Sequence, residues 1–176
     1  SPAEVFEKSD MIWKVKEPEP CEYKFLRENQ ILFTYLHLAP NPGLTKALMD
    51  KKVKGVAFET IVDKAGNLPC LRPMSQIAGR LSIQEGAKYI EKSYGGRGIL
   101  LGGVPGVERG KIVIVGGGIA GTYAAKAAVG IDAEVTLLDI DLNRLAYLED
   151  IFGASVTTLY STEANIRKSL KEKSET

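Results

Sequence analysis

The sequence predicts an α/β fold, with parallel sheets flanked by helices, on three observations. Short apolar runs rich in Ile, Val, Leu and Phe alternate with stretches of helical spacing. Strands separated by helices, rather than by two-residue hairpin turns, pair in parallel and need helical cover. The stretch KIVIVGGGIAGTYAAKAAVG runs from a strand through glycines into an alanine-rich helix, the opening of a βαβ unit. No internal repeat or low-complexity tract interrupts this alternation before the polar tail KSLKEKSET.

The elements follow in order. MIWKVKE (11–17) reads as a strand, PCEYKFLRE as a short helix or turn, and ILFTYLH (31–37) as a buried strand. After the APNPG turn, LTKALMDKK (44–52) makes a short helix and VKGVAFET (53–60) a third strand. DKAGNLPCLRP is a loop, and MSQIAGRLSIQEGAKYIEK (74–92) is the longest helical run. Ser75, Gly79, Ser82 and Gly86 give this helix one face of small side chains. Glycine inside a helix costs about 0.5–1 kcal/mol relative to alanine, so two of them imply close approach by its own sheet, another backbone, a partner subunit or a ligand. The connector SYGGRGILLGGVPGVERG (93–110) is rich in glycine but is no P-loop, because its Gly-Lys is followed by Ile112 rather than Ser or Thr. Strands at 112–115, 134–139 and 154–160 complete the second half. The expected organisation is a partial substrate or catalytic domain over 1–72, an interdomain helix and connector over 73–110, and an incomplete nucleotide-binding domain over 111–176.

Composition narrows the function classes. The 176 residues leave room for one ordinary domain or two incomplete ones. They are 44% apolar and 26% charged, as in a soluble globular protein. A net charge of +1 offers no footprint for nucleic acid or an anionic membrane. No apolar run is long enough for a membrane helix, and SPAEVFEKSDM lacks the pattern of a signal peptide. Cys21 and Cys70 form neither a CxxC motif nor a disulfide framework, which suits a reducing cytoplasm. One histidine and two scattered cysteines leave a zinc site almost without ligands, and no metal is expected.

The glycine motif is Gly116-x-Gly118-x-x-Gly121. Gly116 permits a tight turn off the strand, Gly118 lets the backbone approach a pyrophosphate, and Gly121 lets the helix lie close to the sheet. The helix N-terminus supplies unpaired N–H groups for the phosphates. A second strand, EVTLLD, ends in Asp139, 18 residues beyond Gly121, near the spacing of about 20 for an acid that binds the adenosine ribose. An acid there repels a 2′-phosphate, so NAD(H) is expected over NADP(H), although Arg144 nearby is a group that could accept such a phosphate.

The lone histidine, His37, closes an apolar run. By itself it is either a hydrogen-bonded structural residue or an acid/base. In parallel α/β sheets, ligands bind beyond the carboxyl ends of the strands. There the three predicted strands of the first half deliver Lys16 with Glu17, His37, and Glu59. Hydride transfer at a carbon bearing an amino or hydroxyl group needs a group to handle the N–H or O–H proton, a task that histidine suits at neutral pH. It also needs a cation to hold a carboxylate and polarise a carbonyl, as Lys16 could. The residues therefore point to an NAD-linked dehydrogenase of a small 2-amino or 2-hydroxy acid.

WKVKEPEPCEYKFLRENQILFTYLHLAPNPGLTKALMDKK, LRPMSQIAGRLSIQEGAKYIEK and GGRGILLGGVPGVERGKIVIVGGGIAGTYAAKAAVG together resemble bacterial alanine dehydrogenase nearly end to end, with KVKEP, TYLHLA and LLGGVPGV as specific motifs. The resemblance implies reversible oxidative deamination of L-alanine with NAD to pyruvate and ammonia, in a cytoplasmic homo-oligomer that is typically a hexamer. It also implies that Lys16 holds the substrate carboxylate and carbonyl and that His37 is the acid/base. Ser75, the glycine turn, Asp139, Arg144 and Ser161 of LYSTEAN would contact the cofactor. The architecture is shared with the NAD(H)-binding soluble part of proton-translocating nicotinamide nucleotide transhydrogenase, against which the Lys16 and His37 motifs argue. A third reading is a truncated remnant without turnover.

The family's chains are about twice this length. The resemblance leaves unmatched an N-terminal segment that supplies an arginine, and everything beyond the third nucleotide-domain strand, including an aspartate near the nicotinamide. The expectation is a fragment, inactive in isolation, that self-associates or binds a complementing chain to cover an exposed edge or apolar face.

Overall fold

A computed structural model of the chain describes residues 1–171; the last five residues of the predicted polar tail lie outside the described residues. The chain divides into two compact units, Ser1–Leu71 and a second beginning at Arg72.

The first unit opens with helix α1 (Pro2–Lys8), absent from the sequence reading although its start signal is present. The Ser1 hydroxyl accepts from Glu4 N–H and the Glu4 carboxylate reaches back to the Ser1 amino group, a capping box with Pro2 at the first helical position. Three parallel strands follow in the order β1 (Met11–Trp13), β2 (Ile31–Thr34), β3 (Lys54–Ala57), with Ile12 beside Leu32 and Phe33 beside Val56. Helix α2 (Pro42–Asp50) connects β2 to β3 and is capped by Asn41, whose side-chain oxygen accepts from Leu44 N–H at 3.1 Å. Ile12, Leu32, Leu36, Leu44 and Leu48 join Phe6 and Leu26 in one buried cluster. Burying each such side chain contributes about 1.5–3 kcal/mol. The other sheet face carries exposed Met11, Trp13 and Val56.

All three strands are shorter than the apolar runs suggest. Beyond β1 and β2 the pairing continues through Lys14 N–H to Phe33 O and Tyr35 N–H to Val15 O, both 3.2 Å. The second run then leaves the extended conformation at His37, whose φ is +46°. The third gives way after Ala57 to a 3₁₀ turn, Phe58–Thr60.

The second unit starts with helix α3 (Arg72–Tyr89) and contains parallel strands in the order β4 (Lys111–Val115), β5 (Glu134–Asp139), β6 (Val156–Tyr160). Helix α4 (Ile119–Gly130) joins β4 to β5, and α5 (Leu142–Phe152) joins β5 to β6. Helix α6 (Glu163–Lys171) follows. Ala125, Ala128, Leu137 and Leu148 are fully buried at the centre of this core, with Val135, Leu145 and Val156 around them. The small face of α3 finds its occupant in part. A Cβ on Gly79 would sit 2.2 Å from the Ala120 carbonyl oxygen, so the backbones of α3 and α4 meet there. Gln76 adds a hydrogen bond to the Tyr123 hydroxyl at 3.0 Å. Nothing lies within 4 Å of a Cβ at Gly86. Ser82 and Gly86 instead line an apolar cavity of about 1030 Å³ with Leu101, Val107 and Ile112.

Candidate functional site

The second unit presents the glycine turn at the carboxyl end of its sheet. Gly116 has φ +103°, a left-handed value that glycine adopts freely. A Cβ at Gly121 would lie 1.8 Å from the Gly116 carbonyl oxygen, so only glycine lets α4 start this close to the strand. Gly118, the N-cap of α4, contrasts with both. No side chain caps the helix there, and nothing lies within 4 Å of a Cβ built on it. The start of α4 is therefore open at Gly118, with the positive end of the helix dipole behind it. These features fit a dinucleotide diphosphate.

Asp139 ends β5 beside this turn. One carboxylate oxygen accepts from Gly117 N–H and the other from Asp141 N–H at 2.9 Å. Those backbone donors, first Asp141 and then Gly117, outweigh partial burial and hold the Asp139 carboxyl below the usual range, with the Arg144 charge adding to them. Arg144, on the first turn of α5, donates from Nε to Gly117 O and from a terminal nitrogen to the Thr122 hydroxyl, both 2.6 Å. It also lies over the Tyr147 ring at 4.8 Å. Thr122 in turn donates towards the carbonyls of Gly118 (2.7 Å) and Gly117 (3.0 Å). Ser161 follows β6, and its N–H donates to Asp139 O at 2.9 Å, which brings the ends of β5 and β6 together. Gly116, Gly118, Gly121, Asp139, Arg144 and Ser161 thus share one end of this sheet. Ser75 lies on the first turn of α3, half-buried, one turn before Gly79, where α3 meets the start of α4. Thr122 was not singled out in the sequence, although it directly follows Gly121; a hydroxyl at that point has several structural uses.

The first unit gathers a second set. Its two KVKEP lysines behave differently. Lys14 is consumed in an ion pair with Glu22 at 2.7 Å, both side chains largely shielded. Lys16 is exposed and makes no ion pair or hydrogen bond among the described residues. One oxygen of Glu17 is buried without a hydrogen-bond partner among the described residues, an acceptor available to an incoming donor. His37 is exposed, its ring stacked at 16° on Tyr35 with centroids 6.0 Å apart. Tyr35 is itself fixed by its hydroxyl, which donates to Cys70 O at 2.6 Å.

Glu59 is not an open ionisable group in this arrangement. Its carboxylate accepts from Leu36 N–H (3.1 and 3.3 Å) and His37 N–H (2.8 Å). Partial burial raises its pKa, but the N–H donors of His37, Glu59 itself and Leu36 prevail and hold it below the usual range. Tyr35 and the Glu59–backbone contacts escape sequence reading because they depend on where the strands stop.

Comparison with known proteins covers both units. The family model described as alanine dehydrogenase/PNT, N-terminal domain, matches residues 1–78, and the corresponding C-terminal domain model matches residues 82–174. The chain is 62% identical over 169 residues to an alanine dehydrogenase of Methanococcus maripaludis, covering 96% of this chain and 45% of the relative. It is 54% identical over 164 residues to the alanine dehydrogenase of Geobacillus stearothermophilus, covering 93% and 44%. A solved L-alanine dehydrogenase structure superposes with a TM-score of 0.85 at 51% identity, over 96% of this chain and 46% of that one. A transhydrogenase from Sinorhizobium meliloti shares the fold, with a TM-score of 0.69 at 19% identity over 94% and 47%. The chain therefore spans less than half the length of these relatives.

Proposed function

The chain belongs to the alanine dehydrogenase/PNT family, and from that premise we propose that it carries the cofactor turn and the acid/base histidine of an NAD-dependent L-alanine dehydrogenase. The reaction interconverts L-alanine, NAD⁺ and water with pyruvate, ammonium, NADH and a proton. NAD, when bound, would supply the acceptor for the hydride that leaves the substrate Cα. Everything else falls to the protein. The amides at the start of α4 and the open backbone at Gly118 hold the diphosphate. Asp139 accepts from the adenosine ribose and disfavours a 2′-phosphate. Arg144, pinned to Gly117 and Thr122, braces the turn. Ser75 and Ser161 complete the cofactor contacts.

Lys16 pairs with the substrate carboxylate and polarises the carbonyl as it forms or is consumed. His37 removes the proton of the water that attacks the substrate carbon in deamination and returns it in the reverse direction. The observation that carries the reading is the presentation of His37: an exposed imidazole on a left-handed turn, stacked on an anchored tyrosine, at the carboxyl end of a parallel sheet. A solvated structural histidine has no need of such support. The same family in its transhydrogenase branch performs no amino-acid chemistry, so pyruvate binding separates the two.

The test is NADH oxidation with pyruvate and ammonium, in a polypeptide of the relatives' length that carries this sequence. Turnover is expected. A folded protein that binds NADH yet never consumes it with these substrates contradicts the proposal.

A further inference from the structure

We infer that Glu59 is the positioning residue of His37, and that it works as a hydrogen-bond acceptor on the backbone rather than as a second acid/base. The inference deepens the proposed dehydrogenase reading and takes its catalytic meaning from it.

The geometry begins with an anomaly. His37 has φ +46° although it is not glycine, and L-residues seldom occupy that region without something to hold them there. The chain also changes environment at this point: Leu36 is buried in the core, and His37 and Leu38 are exposed. If β2 continued, the N–H groups near its end would be paired by neighbouring strands. Its neighbour β3 has stopped at Ala57 and curled into the turn Phe58–Thr60. The two amides of the bend would be left without strand partners at the edge of the core, which is costly for backbone groups. The curl brings Glu59 into the place the strand has vacated. Its side chain receives both amides, with Oε1 taking the shorter contacts, 2.8 Å to His37 N and 3.1 Å to Leu36 N. Tyr35 fixes the other side: its hydroxyl is tied to Cys70 O and its ring lies against the imidazole. The imidazole is thus aimed by a turn closed through Glu59 and by a platform anchored at Cys70.

One consequence sets this role apart from an electrostatic one. Because a single oxygen makes both short bonds, a glutamine amide can reproduce them without the charge. A residue that tuned the imidazole by charge, or shuttled its proton, could not be replaced in this way.

The experiment uses the fact that the chain has one histidine, so its NMR spectrum holds one set of imidazole signals. In the wild-type chain the imidazole should show a nuclear Overhauser contact to the Tyr35 ring, and the His37 amide should exchange slowly. Glu59→Ala should abolish the contact and accelerate that exchange about tenfold or more, the equivalent of one lost hydrogen bond. Glu59→Gln should restore both, with exchange within about threefold of wild type. Far-UV circular dichroism of each variant establishes that the chain is folded. In the turnover assay, Glu59→Ala should lower kcat while leaving the KM for NADH in place, and Gln should recover most of that loss.

Retention of the Tyr35 contact and amide protection in folded Glu59→Ala would overturn the inference. So would a folded Glu59→Gln as defective as Ala, because charge rather than the acceptor would then be what His37 needs. The spectroscopic readings require no activity, so failure of the wild type to turn over would count against the dehydrogenase reading alone.

Discussion

Replacing Gly121 by alanine separates what the glycine turn does for folding from what it does for binding. An alanine Cβ there would stand 1.8 Å from Gly116 O, 3.0 Å from Gly116 C and 3.3 Å from Ile114 Cγ2. The first two atoms are backbone and cannot rotate away, so α4 or the turn must move by more than an ångström. Overpacking of this kind costs about 1–3 kcal/mol, here at the upper end, and alanine returns at most about 1 kcal/mol of helix propensity. The net expectation is about 2 kcal/mol of destabilisation, read as a lower midpoint in urea without a change in slope. Two controls bracket it. Gly130, the last residue of the same helix, has nothing within 4 Å of a built Cβ, so Gly130→Ala should be neutral or stabilising by about 0.5 kcal/mol. Gly118→Ala meets no protein atom either, and should unfold within about 0.5 kcal/mol of wild type. Its methyl group would stand where the diphosphate approaches, and NADH affinity measured by calorimetry should fall at least about tenfold. Equal midpoints for Gly121→Ala and Gly130→Ala would refute the packing argument. Unchanged NADH affinity in Gly118→Ala would refute the phosphate cradle.

Further expectations concern charge, the brace and association. Asp139→Ala should relax the preference for NADH over NADPH in parallel binding titrations; an unchanged ratio would place the ribose contact elsewhere. The folded pKa of Asp139 is depressed, so its stabilising contribution relative to Asp139→Asn should be complete above the unfolded value near 4 and lost as pH falls through the lower folded value, as read from unfolding midpoints along a pH series. A difference that grew on acidification would have the wrong sign. Arg144→Ala removes two hydrogen bonds to the turn and should cost about 1–2 kcal/mol in denaturant unfolding. The exposed face bearing Met11, Trp13 and Val56 should make the chain self-associate with rising concentration in light scattering. A sharp monomer throughout would contradict this.

Much of the fold was legible because period and punctuation agreed. The six strands could be found as apolar runs, and the glycine turn announced its own helix. Strand ends were not legible, because ILFTYLH stays apolar past Thr34, where the regular ladder of β2 ends, up to the turn at His37. What ends it is a left-handed residue and a carboxylate from 22 positions downstream, a long-range contact that no local pattern encodes. Glu59 reads from sequence as a group facing substrate for the same reason: it does follow a strand end, but the 3₁₀ curl turns it onto the backbone. Helix α1 was missed although the capping box Ser1–Glu4 is plain in retrospect. Helix α5 likewise had a start signal in Asp141, whose side chain accepts from Asn143 and Arg144 N–H. Of the two lysines in KVKEP, position at the strand end favours Lys16 as the group facing a ligand, but nothing local shows what holds Lys14. Lys14 is held by Glu22, eight positions on, while Lys16 is exposed.

The proposed dehydrogenase chemistry depends most directly on His37. In a polypeptide of the relatives' length carrying this sequence, NADH oxidation with pyruvate and ammonium should be measured for the wild type and for His37→Ala, beside NADH binding to both. Turnover is expected in the wild type, its loss by several orders of magnitude in His37→Ala, and equal NADH affinity in the two. A His37→Ala protein with wild-type kcat would contradict it, and would return the histidine to an ordinary structural role.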